Sequence, residues 1–358
     1  MLRGVSGKLI LCGTLCLTAA GPRRLCAENL PVKTVAHEGK ADFRTLQEAV
    51  DAAPLTGEVI RLAPGLYREK VHINTPNIHL VGMGERPEDV VLSWDDAAVN
   101  AGGTGKSGSV SVNADDFEAE NLTIENTWET EHQRLPGEGS QAVALLMSSD
   151  RAVLDHVRLL GAQDTLYANS RTCHDNLPKD GSAPPADTPA CAASRQFFRD
   201  CYIEGHVDFI FGDAKAVFDH CELHARNFPT VMFTAQSRHF PAEDSGYYFL
   251  HCKLTGGGAG DKVVLGRPWR DYSTVVFYDT NVQVQLDPDG WSEWNGRLKT
   301  STYREYKSYG PGVNGGHRIV SSPPLTAKEE KKLTPRALLA GSDDWDPVPE
   351  ANRLRGLR

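Results

Sequence analysis

DCYIEG at residues 200–205 decides the fold, because the chain repeats it loosely as NLTIEN at 121–126, HVRLLG at 156–161, HCELHA at 220–225 and HCKLTG at 251–256. Each copy follows an aromatic or aliphatic residue two or three positions upstream, and the starts are separated by 20 to 44 residues. Irregular spacing around a constant strand core fits a right-handed parallel β-helix, in which each coil adds a rung and loops of variable length leave the turns. An antiparallel sandwich is the competing fold. It would show turn signals every ~8–12 residues and hairpin dipeptides such as Asn-Gly between strands, yet Asn-Gly occurs only at Asn295-Gly296 and Asn314-Gly315. Helical periodicity is confined to FRTLQEAVDAAP at 43–54, with Phe43, Leu46, Ala49 and Val50 on one face, and to LTAKEEKKLTPRALLAG at 325–341, expected to pack outside the coil. The fold class is therefore all-β: one β-helix domain with a short N-terminal helix and a C-terminal helical segment.

Two of these strand cores carry an aspartate at the same offset. Asp164 lies five residues after Leu159, and Asp208 lies five after Ile203. On neighbouring parallel rungs, ~4.8 Å apart, equal phase means equal direction. Two carboxylates ~5 Å apart at an effective dielectric near 20 repel by roughly 3 kcal/mol, so one tends to stay protonated while the other ionises. That is a proton donor beside a nucleophile. Gln163 adjoins Asp164, Gln141 opens QAVALLM at 141–147, and Arg267 and Trp269 lie in LGRPWR at 265–270. Amide donors stabilise an oxygen that gains negative charge, and a guanidinium keeps one chosen carboxylate ionised and aimed. Each residue also has a plainer reading: the aspartates as turn residues capping backbone amides, the glutamines as an internal amide ladder, and Arg267 as a surface ion pair.

With GLYREK (65–70), QAVAL (141–145), GAQDTLY (161–167), GHVDFIFG (205–212) and LGRPW (265–269) in this order, the chain resembles the pectin methylesterases, the pectinesterase family of carbohydrate esterases. The resemblance runs from about Val32 to about Pro347, with a β-helix domain of 32–350, and implies a pectin lyase-like fold. It implies hydrolysis of the methyl esters of polygalacturonate, with methyl-esterified homogalacturonan as the partner and the chain a monomer. Carried over residue by residue, Asp208 is the nucleophile, Asp164 the general acid and then base, Gln163 and Gln141 the oxyanion donors, and Arg267 the orienter of Asp208. Tyr167, Phe211 and Trp269 would line the sugar groove. No cofactor or metal is implied. Phe209 and Ile210 are expected to point inward, Trp291 and Trp294 are candidates for a distal subsite, and Gly65, Tyr67 and Glu69 read as a structural turn. GGTGKSGS at 102–109 mimics a phosphate loop, but the strand-like SVSVN that follows argues against one.

Two departures stand out. His206 occupies a place more usually held by threonine, where it could either tune the nucleophile or face solvent. An insertion of about Arg171 to Arg195 separates the two aspartate motifs and is expected to wall the groove from the coil edge that carries them. A β-helix lyase or glycosidase acting on the same polymer is the nearest alternative, since a retaining glycosidase also wants two carboxylates ~5 Å apart; a non-catalytic carbohydrate-binding β-helix is the other.

The 358 residues are 40% hydrophobic and 24% charged, with a net charge of -9. A nucleic-acid partner is disfavoured, because phosphate binding needs a basic face, whereas a methylated polyuronide is largely neutral. Arg3 and Lys8, then an apolar stretch from Leu9 to Ala20, read as a secretory signal peptide within 1–27, too short for a membrane span. Cleavage after Ala20 or after Ala27 fits, and the mature chain is expected to be extracellular or periplasmic. Export permits disulfides. Cys201 and Cys221 hold equivalent places and could bridge, as the family often does here, or could join Cys252 in a ladder of buried thiols; Cys173 and Cys191 would clamp the insertion. No CxxC pair exists.

Overall fold

The computed structural model describes residues 30–132, 139–171, 193–257, 260, 262–313, 315 and 317–358. The expected signal peptide and the Cys173–Cys191 pair lie outside the described residues. Among the described residues, the strands form three parallel sheets of ten, eight and six strands and one two-stranded pair, and within each large sheet spatial order follows chain order. This is a parallel β-helix. One full coil runs through Ala152–Asp155 of the ten-stranded sheet, Arg158–Leu160 of the eight-stranded sheet and Leu166–Ala168 of the six-stranded sheet.

The recurring unit is the corner between the first two sheets. Its opening residue, Asn121, His156, Asp200, His220 or His251, is in the left-handed region at φ 52–56° in every copy, a conformation for which Asn, Asp and His are enriched. The apolar centres then stack in register as Leu92, Ile124, Leu159, Ile203, Leu223, Leu254 and Val282. On the ten-stranded sheet Phe198, Phe218, Phe249 and Phe277 face inward with ring centroids 4.6, 4.6 and 4.4 Å apart, close to the rung spacing itself. Between these ladders Cys201, Cys221 and Cys252 are buried free thiols, with Sγ directed at the carbonyls of Leu154, Phe198 and Phe218. The Cys201–Cys221 bridge is therefore corrected to a thiol ladder. Each thiol does the packing of a small apolar residue, as Leu122 and Val157 do on earlier coils.

Leu46–Ala52 forms the N-terminal helix, opened by a Thr45–Glu48 capping box. Glu69 accepts from the helix amides of Leu46 and Gln47, and the buried Tyr67 donates to the Val35 and Ala63 carbonyls, so GLYREK anchors this helix to the first coil. At the C-terminus Ala327–Glu330, Pro335–Leu339 and Pro347–Leu354 are short helices, shorter than the continuous segment expected. The last two and the turn between them cover the outer face of the ten-stranded sheet with Leu339, Trp345, Ala351 and Leu354 against Val153, Phe197, Val217 and Leu250. Arg353, Arg355 and Arg358 then pair with Glu118, Asp155 and Glu120 beneath them.

Candidate active site

Register places the two aspartates. Leu166 pairs with Ile210 and Tyr167 with Phe211, so the residues two positions earlier in each strand occupy the same turn of consecutive coils. Asp164 and Asp208 both adopt the left-handed region, at φ 66° and 52°, and the Asp164 amide donates to the Val207 carbonyl at 3.1 Å. They are thus turn residues, as the plainer reading held, but turned onto the outer face of the six-stranded sheet. Asp164 is 8% and Asp208 6% exposed, and both line a cleft of about 420 Å³.

Gln141, Gln163, Tyr167, Phe211, Arg267 and Trp269 line the same cleft, so all eight anticipated residues converge. Arg267 reaches Asp208 two-handed, Nε to Oδ1 at 2.9 Å and Nη2 to Oδ2 at 2.6 Å. Its backbone is held against the neighbouring rung, the amide donating to the Thr234 carbonyl at 3.0 Å. Only glycine allows that approach at position 266, where a Cβ would meet Thr234 Oγ1 at 2.0 Å. Ser140 donates to Gln163 Oε1 at 3.3 Å. Tyr167 stacks on Phe211 at 4.2 Å, and Trp269 tilts against Phe211 at 5.9 Å, giving the cleft an aromatic wall.

Electrostatics separates the two acids. Burial raises the Asp164 carboxyl well above its ordinary range and the charge of Asp208 raises it further, with Arg267 opposing from a distance. Burial also raises Asp208, but there the direct hydrogen bonds and charge of Arg267 pull downward, and the rise is smaller. Of the pair, Asp164 holds the proton and Asp208 is the one that ionises.

The neighbouring candidates divide. Trp294 lines the cleft with Arg267 Cζ 4.1 Å from its ring centroid, whereas Trp291 is buried in the core against Phe277 and Tyr303; only one of the two tryptophans is placed at the groove. Thr104 and Gly105 close the cleft from the phosphate-loop mimic, a short 3₁₀ turn ahead of the strand Val110–Val112. Phe209 and Ile210 point into the core as expected. His206 is buried rather than solvent-facing. Its Nδ1 accepts from the Val207 amide at 2.7 Å, its Nε2 sits 2.7 Å from Glu129 Oε2, and its ring stacks on Phe228. It ties the turn before Asp208 to the short helix Trp128–Glu131.

The point from which the insertion departs is corrected, while residues 172–192 themselves lie outside the described residues. Its flanks, Arg171 and Ala193, line a different cavity together with Asp150, Arg195 and Asp343. Arg171 follows the end of Leu166–Ala168, whereas the aspartates precede the starts of their strands, so the insertion leaves the opposite edge of the six-stranded sheet.

The family profile described as Pectinesterase matches residues 32–174 and 186–342. The chain belongs to the pectinesterase family. It is 34% identical over 300 residues to Pectinesterase 31 of Arabidopsis thaliana, covering 80% of this chain and 84% of the relative. Pectin methylesterase from carrot superposes with a TM-score of 0.73 at 29% identity, covering 87% of this chain and 94% of the carrot chain. A pectin methylesterase in complex with a hexasaccharide gives 0.68 at 28% identity, covering 88% and 98%. The break in the pectinesterase match at 175–185 falls inside the insertion.

Proposed function

We propose that this carboxylic ester hydrolase releases methanol from methyl-esterified homogalacturonan, with Asp208 as nucleophile and Asp164 as general acid and then base. One observation carries the assignment: two carboxyls at equal phase on adjacent rungs share one cleft, and a guanidinium grips only one of them. The ionised Asp208 attacks the ester carbonyl. The side-chain amides of Gln163 and Gln141 hold the oxyanion, and Asp164 delivers its proton to the departing methanol. The resulting acyl-enzyme is an anhydride. Asp164, now a base, activates the water that opens it, restoring both acids. Arg267 keeps Asp208 aimed and counters the effect of burial on it. Tyr167, Phe211 and Trp269, joined by Trp294, offer faces against which sugar rings pack.

A polymeric substrate is supported by the run of the groove. Ser111, Leu146, Tyr167, Phe211 and Ala235 form one outward column along the six-stranded sheet, and a second cavity of about 380 Å³ continues the cleft past Gly105 toward His72. The pectin methylesterase bound to a hexasaccharide supports the same reading. We also propose that residues 1–27 direct secretion; a chain lacking them should stay inside the cell, and its undiminished export would show that this is wrong.

Mixing the protein with methylated pectin while following methanol, reducing ends and unsaturated product together tests the chemistry. Methanol alone, lost in Asp208→Asn, is the expected result. Reducing ends or unsaturated product would mean chain cleavage, and silence would mean a binding protein.

A further inference from the structure

The corner opposite the six-stranded sheet carries a cluster that the ester chemistry does not use. Asp219 ends the strand Lys215–Asp219, His220 is the left-handed corner residue after it, and His251 is the matching corner one coil later. His220 Nδ1 lies 3.0 Å and His251 Nδ1 3.1 Å from the same oxygen, Asp219 Oδ1. The rings stack at 4.9 Å and all three ligand atoms lie within 4.8 Å of one another. Both imidazoles are solvent-accessible and Asp219 is partly so.

The pairing pattern along this edge sets Asp219 apart. Its rung neighbour Arg199 turns away to grip Asp155, Nε to Oδ1 at 2.9 Å and Nη2 to Oδ2 at 3.0 Å. Asp219 is left with two imidazoles and no lysine or arginine among the described residues. The two other clusters of similar composition are already neutralised by guanidinium groups: Asp155 and Asp200 by Arg355, and Asp95 and Glu131 by Arg68.

We propose that Asp219, His220 and His251 form a binding site for a divalent transition-metal ion of the Zn²⁺ class. Two neutral imidazoles and one carboxylate are a donor set suited to such an ion. With metal–ligand distances of ~2.0–2.2 Å, ligands on a tetrahedral ion stand about 3.3 Å apart, close to the two His–Asp separations here. A modest tilt of the two exposed rings brings their nitrogens together, and water completes the coordination from the open side. Because Asp219 and His220 belong to one coil and His251 to the next, the ion braces two rungs. It lies away from the catalytic cleft, so its effect is on stability and not on ester hydrolysis.

The test uses untagged, chelator-treated full-length protein titrated with Zn²⁺ by calorimetry and with Co²⁺ by visible absorption. One ion per chain is expected, with a rise in Tm and unchanged methanol release. His220→Asn/His251→Asn keeps residues that tolerate the left-handed corner and should abolish that binding while retaining methanol release as proof of folding. In the unmutated protein, Zn²⁺ should protect His220 and His251 from diethyl pyrocarbonate, read by mass spectrometry. Absence of binding, an ion retained undiminished by the double variant, or no protection of these two histidines would overturn the assignment.

Discussion

Arg267→Lys, set beside Arg267→Ala, separates geometry from charge at the proposed nucleophile. The guanidinium meets both oxygens of Asp208 at 2.9 and 2.6 Å and lies 4.1 Å over Trp294. A lysine ammonium keeps the charge but cannot span both oxygens or lie flat on the ring. Losing one charge-assisted hydrogen bond costs about 1.5–3 kcal/mol, which at ~1.4 kcal/mol per decade is a fall of roughly 10- to 150-fold in kcat/KM. Alanine removes the counter-charge as well, so burial acts on Asp208 unopposed and its pKa rises further. Asp208 attacks only when ionised, so the acidic limb of the kcat/KM profile must move to higher pH in the alanine variant and much less in the lysine variant. Methanol release from methylated pectin across the acidic and neutral range reads both effects. An alanine variant whose acidic limb stays in place, or a lysine variant as active as the parent enzyme, would refute the assignment of Arg267 to Asp208.

Asp164→Asn should lower kcat by about 10²–10⁴, the range of a lost general acid, while raising Tm at neutral pH. The native carboxyl, raised by burial and then by Asp208, holds a proton that the unfolded chain releases near ~3.9. Stability from this group is intact below that value and declines as pH rises toward the folded pKa, so a Tm gain equal at acidic and neutral pH would count against it. Phe218→Ala opens a gap between Phe198 and Phe249 and should cost ~3–5 kcal/mol in denaturant unfolding; a loss under ~1 kcal/mol would mean that the stack collapses around it. Alkylation of denatured, unreduced protein should label Cys201, Cys221 and Cys252, and a Cys201–Cys221 linked peptide would contradict the free-thiol ladder.

The coil was legible because its rule is local. Each corner needs a residue at home in the left-handed region, then an inward apolar one, and the units around Asn121, His156, Asp200, His220 and His251 spell that out whatever lies between them. Equal offsets from Leu159 and Ile203 carried the register, and therefore the neighbourhood of Asp164 and Asp208. What escaped the sequence were contacts set by how intervening segments travel. Trp291 and Trp294 sit three residues apart, yet one is core and the other stacks on Arg267. His206 faces Glu129, 77 residues earlier, and buries itself there. Cys201 and Cys221 fit a bridge and a thiol ladder equally well by spacing, and only the folded core placed three free thiols in a column. Sequence fixes which way a side chain leaves its own strand, because backbone period and turn conformation are local properties; whether that side chain meets solvent, a partner or the core depends on which distant segment arrives beside it, and only the tertiary structure decides that.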